Sequence, residues 1–243
     1  MGNAIYYLRA AADLMMPRVC LACGAALGPR EEHLCSECWS DMPLTRYWKL
    51  RENPMAESYN ALIQRNMGED VRYRPYGYAA ALFFYKGGFR AISKALKYKR
   101  NFAAGRYFGR LLGQTLAESV YFRDVDLVVP VPLHWLRRWR RGYNQAEVIA
   151  REVARALGAG YDPGLLRRAR RTRTQTHLNV EGRAANVAGA FRMTRRGLSA
   201  LAGVHHLLLV DDVFTTGATA AACAHAIRPA VRVSVATLAC VEH

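Results

Sequence analysis

Leu207 to Thr219 reads LLLVDDVFTTGAT, and this run decides the architecture. Its apolar half suits a strand buried on both faces, the kind found in parallel sheets whose connections are helices. The strand delivers two carboxylates, Asp211 and Asp212, and then a turn of hydroxyls and glycine that opens a helix: Thr215, Thr216, Gly217, Ala218 and Thr219. At the carboxyl end of a parallel strand a ligand meets a helix amino terminus, whose unpaired N–H groups and partial positive charge suit a phosphate. Gly217 lets the backbone approach closely, the threonine hydroxyls add donors, and the aspartates stand as acceptors for sugar hydroxyls or an attached metal. A solvated aspartate pair before a helix cap is the plainer alternative. No dinucleotide fingerprint and no G-x-x-x-x-G-K-[ST] run is present, so other phosphate loops are set aside.

The same alternation of strand and helix extends outward from this run. Upstream, GYAAALFFY reads as a strand, Gly87-Gly88 as a turn, and FRAISKALKYKR as a helix with Phe89, Ile92 and Leu96 on one face. A helix from about 103 to 119 follows, then the strand DVDLVVPVPLH, then the helix NQAEVIAREVARALGAG, which Gly158 stops. Downstream, VRVSVATLACV is a last strand. Strands separated by helices predict an α/β domain with a mostly parallel, covered sheet over 77–243. Residues 46–76 carry Pro54 and Pro75 among scattered charges and read as a connector with one short helix near 58–64.

Four of six cysteines lie at the other end as CLACGAALGPREEHLCSECW, with Cys20, Cys23, Cys35 and Cys38 at C-x2-C-x11-C-x2-C spacing. Two residues between cysteines let one tight turn aim both sulfurs at one ion, and two such turns close a tetrahedron. This is a zinc ribbon, structural because no position stays open, within an amino-terminal unit of residues 1–45 that starts with a short amphipathic helix. A redox pair is the alternative reading. His33 is a bystander, and Cys223 and Cys240 are buried small hydrophobes. Removing zinc is expected to unfold the ribbon and leave the main domain's ligand site intact.

The chain of 243 residues carries 35 Lys and Arg against 19 Asp and Glu, a net +16, which favours polyanionic partners such as nucleic acid or phosphorylated metabolites. Its composition excludes disorder, and no apolar run reaches the roughly 18 to 20 residues of a spanning helix. Arg9 and Asp13 interrupt the apolar start, so no secretory signal is read and a cytoplasmic address is expected. Between residues 137 and 196 there are 15 Arg and no Lys against four carboxylates, so 15 − 4 = +11 falls in 60 residues. Arginine suits bidentate phosphate contacts, and Trp135, Trp139 and Tyr143 interleave with Arg137, Arg138, Arg140 and Arg141 as flat faces for bases. An exposed basic face with Trp135 and Trp139 packed in the core is the alternative.

The DD-x-x-TTGAT run resembles the phosphoribosyl pyrophosphate (PRPP) binding signature of the phosphoribosyltransferases. Three more pieces narrow the resemblance to the ComF family, whose members pair a zinc ribbon with a phosphoribosyltransferase-like domain. These are KYK at Lys97 to Lys99, the run Arg141, Gly142, Tyr143, Asn144 and Gln145, and a flap segment with Thr172, Gln175, Leu178, Arg183 and Asn186. The family often has Gly after KYK where this chain has Arg100.

The resemblance implies PRPP held with Mg²⁺ by Asp211, Asp212, Lys97, Lys99 and the 215–219 turn, with Arg141 beside the aspartates as a catalytic candidate. It also implies handling of single-stranded DNA in natural transformation through Arg137, Arg138, Trp139, Arg140 and Tyr143, in the company of a competence helicase or other DNA-uptake proteins. An active metabolic phosphoribosyltransferase with an unidentified acceptor is the alternative function. A PRPP-sensing regulator lacks a clear helix-turn-helix.

Overall fold

The computed structural model describes residues 17–65, 74–98, 101–133, 142–169, 189–227 and 230–242. Lys99, Arg100, Trp135, Arg137, Arg138, Trp139, Arg140 and Arg141 lie outside the described residues, as do the flap residues Thr172, Gln175, Leu178, Arg183 and Asn186.

Five strands form one sheet in which every pairing is parallel: β1 (Ala79–Phe84), β2 (Leu127–Pro130), β3 (Gly160–Tyr161), β6 (His206–Phe214) and β7 (Arg232–Cys240), in spatial order β1-β7-β6-β2-β3. Two short strands, β4 (Leu166–Arg168) and β5 (Phe191–Met193), form a separate antiparallel pair that the sequence reading did not foresee. Strands of three residues fall below what a periodicity count can separate from a loop.

Helices cover both faces because the central strands are apolar on both. On one face α3 (Phe89–Tyr98), α4 (Phe102–Ala117) and α5 (Gln145–Leu157) pack over Ala80, Leu82, Val128, Leu208 and Val210. On the other, α2 (Pro54–Arg65) and α7 (Ala218–His225) pack over Leu127, Val129, Leu207 and Leu209, and two shorter helices are α1 (Ser36–Ser40) and α6 (Arg195–Ala200). Helices α4 and α5 approach closely because α4 presents glycines: a Cβ at Gly113 would stand 2.7 Å from Ala156 Cβ and 2.9 Å from Val153 Cα.

The segment read as a connector contributes a full core helix. The Asn53 side-chain oxygen accepts from Ala56 N–H at 3.0 Å and Pro54, which has no N–H to satisfy, takes the first helical position. The buried Tyr59 donates its hydroxyl to the Val233 carbonyl at 3.0 Å, and the Asn60 amide bonds the Gly77 carbonyl at 2.8 Å and accepts from its N–H at 3.0 Å. Apolar Met55, Tyr59, Leu62 and Ile63 are spaced for one helix face, a signal that the flanking prolines and charges obscured.

The ribbon shares the core as well. Cys20, Leu27, Leu34 and Met42 belong to the same buried cluster as Phe83, Phe89 and Phe108, and His33 packs edge-on to Tyr107 at 5.1 Å. Thr45 N–H donates to Leu82 O at 3.0 Å and Phe84 N–H to Pro43 O at 2.7 Å, which caps the free edge of β1. The expectation that the ribbon melts alone therefore gives way to one of a jointly stabilised core. Cys223 and Cys240 are buried, as expected.

Candidate functional site

The carboxyl edge of the sheet is where the connections part. From β2 the chain returns through α5 on one face, and from β6 through α7 on the other, so a crevice opens between the ends of these neighbouring strands, the usual ligand position in open α/β sheets. Pairing of β2 with β6 ends at Pro130 opposite Val210, while β6 continues beside β7 as far as Phe214. Asp211 and Asp212 thus lie inside the strand, past the end of β2.

The two carboxylates diverge, as strand alternation requires. Asp211 lines a cleft of about 290 Å³ with Thr215, Gly217, Thr219 and, from β7, Val235 and Thr237. Asp212 Oδ2 meets Lys97 Nζ of α3 at 3.1 Å on the opposite side of the sheet. Burial first, and the Asp212 charge second, push the Asp211 carboxyl up to about 8, while the Asp212 N–H at 2.8 Å and Lys97 hold it back. A carboxyl near neutrality can serve as donor or acceptor toward a sugar hydroxyl.

The turn after β6 needs glycine at 217. Its φ is 78°, and a Cβ there would stand 2.6 Å from Phe214 Cζ and 3.2 Å from Leu62 Cδ1. Gly217 is the cap residue of α7 and no side chain closes that end, so the first amides of α7 face the cleft region without an intrahelical acceptor. The structure therefore brings together Asp211, Thr215, Gly217 and Thr219, places Thr216 and Ala218 in the same turn, and leaves Asp212, paired with Lys97, on the other side of the strand and outside the cleft lining. Thr237 went unnoticed in the sequence; its signal is a hydroxyl in a largely apolar strand, in register with Asp211.

Tyr143 departs from expectation. It is buried, its hydroxyl donates to the Leu96 carbonyl, and its ring lies 4.4 Å from that of Phe102. A ring used in this way is not a platform for a nucleic-acid base, and Tyr143 is corrected from a stacking residue to an internal one. Asn144 caps α5 through Ala146 N at 3.2 Å and donates to the Val131 carbonyl at 3.1 Å.

At the ribbon, the sulfurs of Cys20, Cys23, Cys35 and Cys38 lie within 4.8 Å of one another, with Cys23 and Cys35 3.8 Å apart. Zinc–sulfur bonds of about 2.3 Å in a tetrahedron put sulfurs roughly 3.8 Å apart, so the donor set fits a closed zinc site. Burial raises the Cys20 thiol, but N–H donors of Cys23, Cys35 and Ala22 outweigh it and bring the group down to about 6. Burial and the neighbouring thiols push Cys38 upward, so full ionisation of the cluster calls for a cation at its centre.

Residues 11–48 match the double zinc ribbon domain. Over 131 residues the chain is 37% identical to the DNA utilization protein YhgH of Salmonella typhimurium, covering 52% of this chain and 55% of that one. It is 30% identical over 131 residues to Competence protein F of Haemophilus influenzae, covering 53% and 56%. The chain is a homologue of these proteins. A third relative, YhgH of Escherichia coli K12, is 35% identical over 132 residues. The chain spans about half the length of the curated relatives it matches. Among the described residues, no helix is long and apolar enough to cross a membrane.

Proposed function

We propose that this chain binds PRPP at the carboxyl edge of its sheet and acts in DNA uptake or utilisation, handling single-stranded DNA in a cytoplasmic setting. The observation that carries the PRPP half is the cleft in which Asp211 and the turn 215–219 meet at the parting of the strand connections. In this reading the amides and hydroxyls at the start of α7 take the 5-phosphate, Asp211 and Asp212 take the ribose hydroxyls, and Lys97, Lys99 and Arg141 face the diphosphate with its Mg²⁺. Carboxylate oxygens are the donors that Mg²⁺ prefers. Fixed cations near a departing pyrophosphate stabilise the charge it develops, which is how the same residues would support transfer.

The DNA half is supported by the relatives, a DNA utilization protein and a competence protein, and by the arginine-rich run of 137–196. Arg137, Arg138, Trp139 and Arg140 remain its proposed contacts, without Tyr143. The test is calorimetric titration of Mg²⁺-PRPP into wild type and into Asp211→Asn/Asp212→Asn, with and without a short single-stranded oligonucleotide. Binding to wild type alone is expected, and an affinity that shifts when DNA is present would tie the two ligands by reciprocal linkage. Equal binding by both proteins would remove the PRPP site, and pyrophosphate release during titration would favour the transferase alternative.

A further inference from the structure

Three side chains of one short run, Tyr143 to Gln145, turn inward at the crevice and reach two other elements. The Tyr143 hydroxyl and, at 3.5 Å, the Gln145 side-chain amide both donate to one acceptor, the Leu96 carbonyl. Leu96 lies in the last turn of α3, where a helix has spent its own N–H donors, so this carbonyl needs a partner from outside the helix. A carbonyl oxygen has two lone pairs and can take both donors. The next residue is Lys97, whose amine meets Asp212 at 3.1 Å. On the far side of the run, Asn144 holds the Val131 carbonyl at 3.1 Å, just past the end of β2. Phe102, at the start of α4, lies tilted against the Tyr143 ring at 4.4 Å.

We propose that Tyr143 and Gln145 are positioning residues that clamp the end of α3 and so set Lys97 against Asp212 at the mouth of the site. The clamp ties the end of α3 and the Val131 carbonyl past β2 to the start of α5, so Lys97 keeps one geometry toward Asp212. The inference rests on the PRPP reading for its purpose, but the clamp itself is a statement about Lys97 and can be measured without ligand.

The measurement is the rate at which acetic anhydride labels each lysine of the zinc-loaded full chain, read by mass spectrometry. In wild type Lys97 is expected to react slowly, since its amine and its partner Asp212 are both mostly buried, whereas Lys86, whose ion pair with Glu242 is half exposed at the surface, reacts faster. In Tyr143→Phe, which keeps the ring, Lys97 labelling rises severalfold toward the rate in Asp212→Asn, with Lys86 unchanged. Gln145→Met gives a smaller rise, and a chain carrying both changes gives the largest. A merely structural role would leave the ratio of Lys97 to Lys86 where it stands, and that outcome, in both single variants, would overturn the clamp.

Mg²⁺-PRPP affinity supplies the second readout. Tyr143→Phe should weaken it about as much as Lys97→Met, and the two together no further, because one acts through the other. Additive losses would overturn the proposal. A wild type that fails to bind PRPP would strike the ligand reading, and the labelling ratio would still decide the clamp.

Discussion

Strand β6 carries ionisable groups at both of its ends, and the two ends are built on opposite terms. At the amino end His206 is buried and fully engaged: its Nδ1 lies 2.8 Å from Asp124 Oδ1 and its Nε2 2.7 Å from Ser234 Oγ, and the same hydroxyl accepts from Tyr78 N–H at 3.0 Å. The arrangement has the order of an acid, a histidine and a serine, yet Ser234 is wholly buried and its oxygen is spoken for by a backbone amide. It is a brace. At the carboxyl end Asp211 and Asp212 are only partly buried, one opens on a cleft, and the turn beyond them leaves helix amides uncapped. Satisfied groups hold a fold together, and groups left with capacity are where a ligand can be taken.

The difference can be broken most severely by zinc removal, which strikes both ends through the core that the ribbon shares. A Cβ at Gly88, just before α3, would stand 3.0 Å from Ala22 Cβ of the first cysteine turn, so α3 rests on the ribbon. Chelation should lower the melting temperature by about 10 °C or more, since each kcal/mol is worth about 2 to 4 °C in a chain of this size, and should weaken PRPP binding with it. A ribbon that melts by circular dichroism while PRPP still binds at full affinity would show that the ends stand independently.

Next in size is Ser234→Ala, which strips His206 Nε2 and the Tyr78 amide of a buried partner at once. Each such loss costs about 1 to 3 kcal/mol, so urea denaturation should report a loss of about 3 kcal/mol with PRPP affinity unchanged. At the other end Gly217→Ala forces a side chain into positive φ and against Phe214. A cost of about 1 to 3 kcal/mol is expected, and here calorimetry should show affinity falling too. Equal effects of the two substitutions on PRPP binding would erase the distinction between brace and site.

In pH dependence the two ends should oppose each other. Burial holds the His206 imidazole below its ordinary range, so the unfolded chain binds the proton more readily and stability is lost as pH falls below about 6.5. Asp211 is raised, to about 8, so the folded chain binds its proton more readily and stability is lost as pH rises from about 4 through 8. Asp211→Asn should therefore flatten the alkaline side of the stability curve, and His206→Gln the acid side. Denaturation midpoints across pH 4 to 9 read both, and an unchanged alkaline limb in Asp211→Asn would contradict the raised carboxyl.

Legibility in the sequence followed the same division. The run 207–219 announced itself because a buried strand, a carboxylate pair and a glycine turn occupy consecutive positions, and the cysteine spacing announced the ribbon for the same reason. The brace had no such signal: Asp124, His206 and Ser234 are 82 and 28 residues apart in the chain, and nothing about any one of them foretells the others. Tyr143 misled because an aromatic among arginines looks alike whether its ring meets a base or a helix end.

By itself, then, the sequence determined what consecutive residues can determine: the strand and helix alternation, the parallel sheet it implies, the four-thiolate metal site, and the turn that needs glycine at 217. Local geometry and periodicity act over a few residues, and these features lie within that reach. The tertiary structure alone decided that helix α2 and the ribbon belong to the core, that Lys97 pairs with Asp212, and that Tyr143 and Gln145 meet on the Leu96 carbonyl. Those are outcomes of which buried polar group finds which partner, and burial brings together atoms that the chain holds far apart.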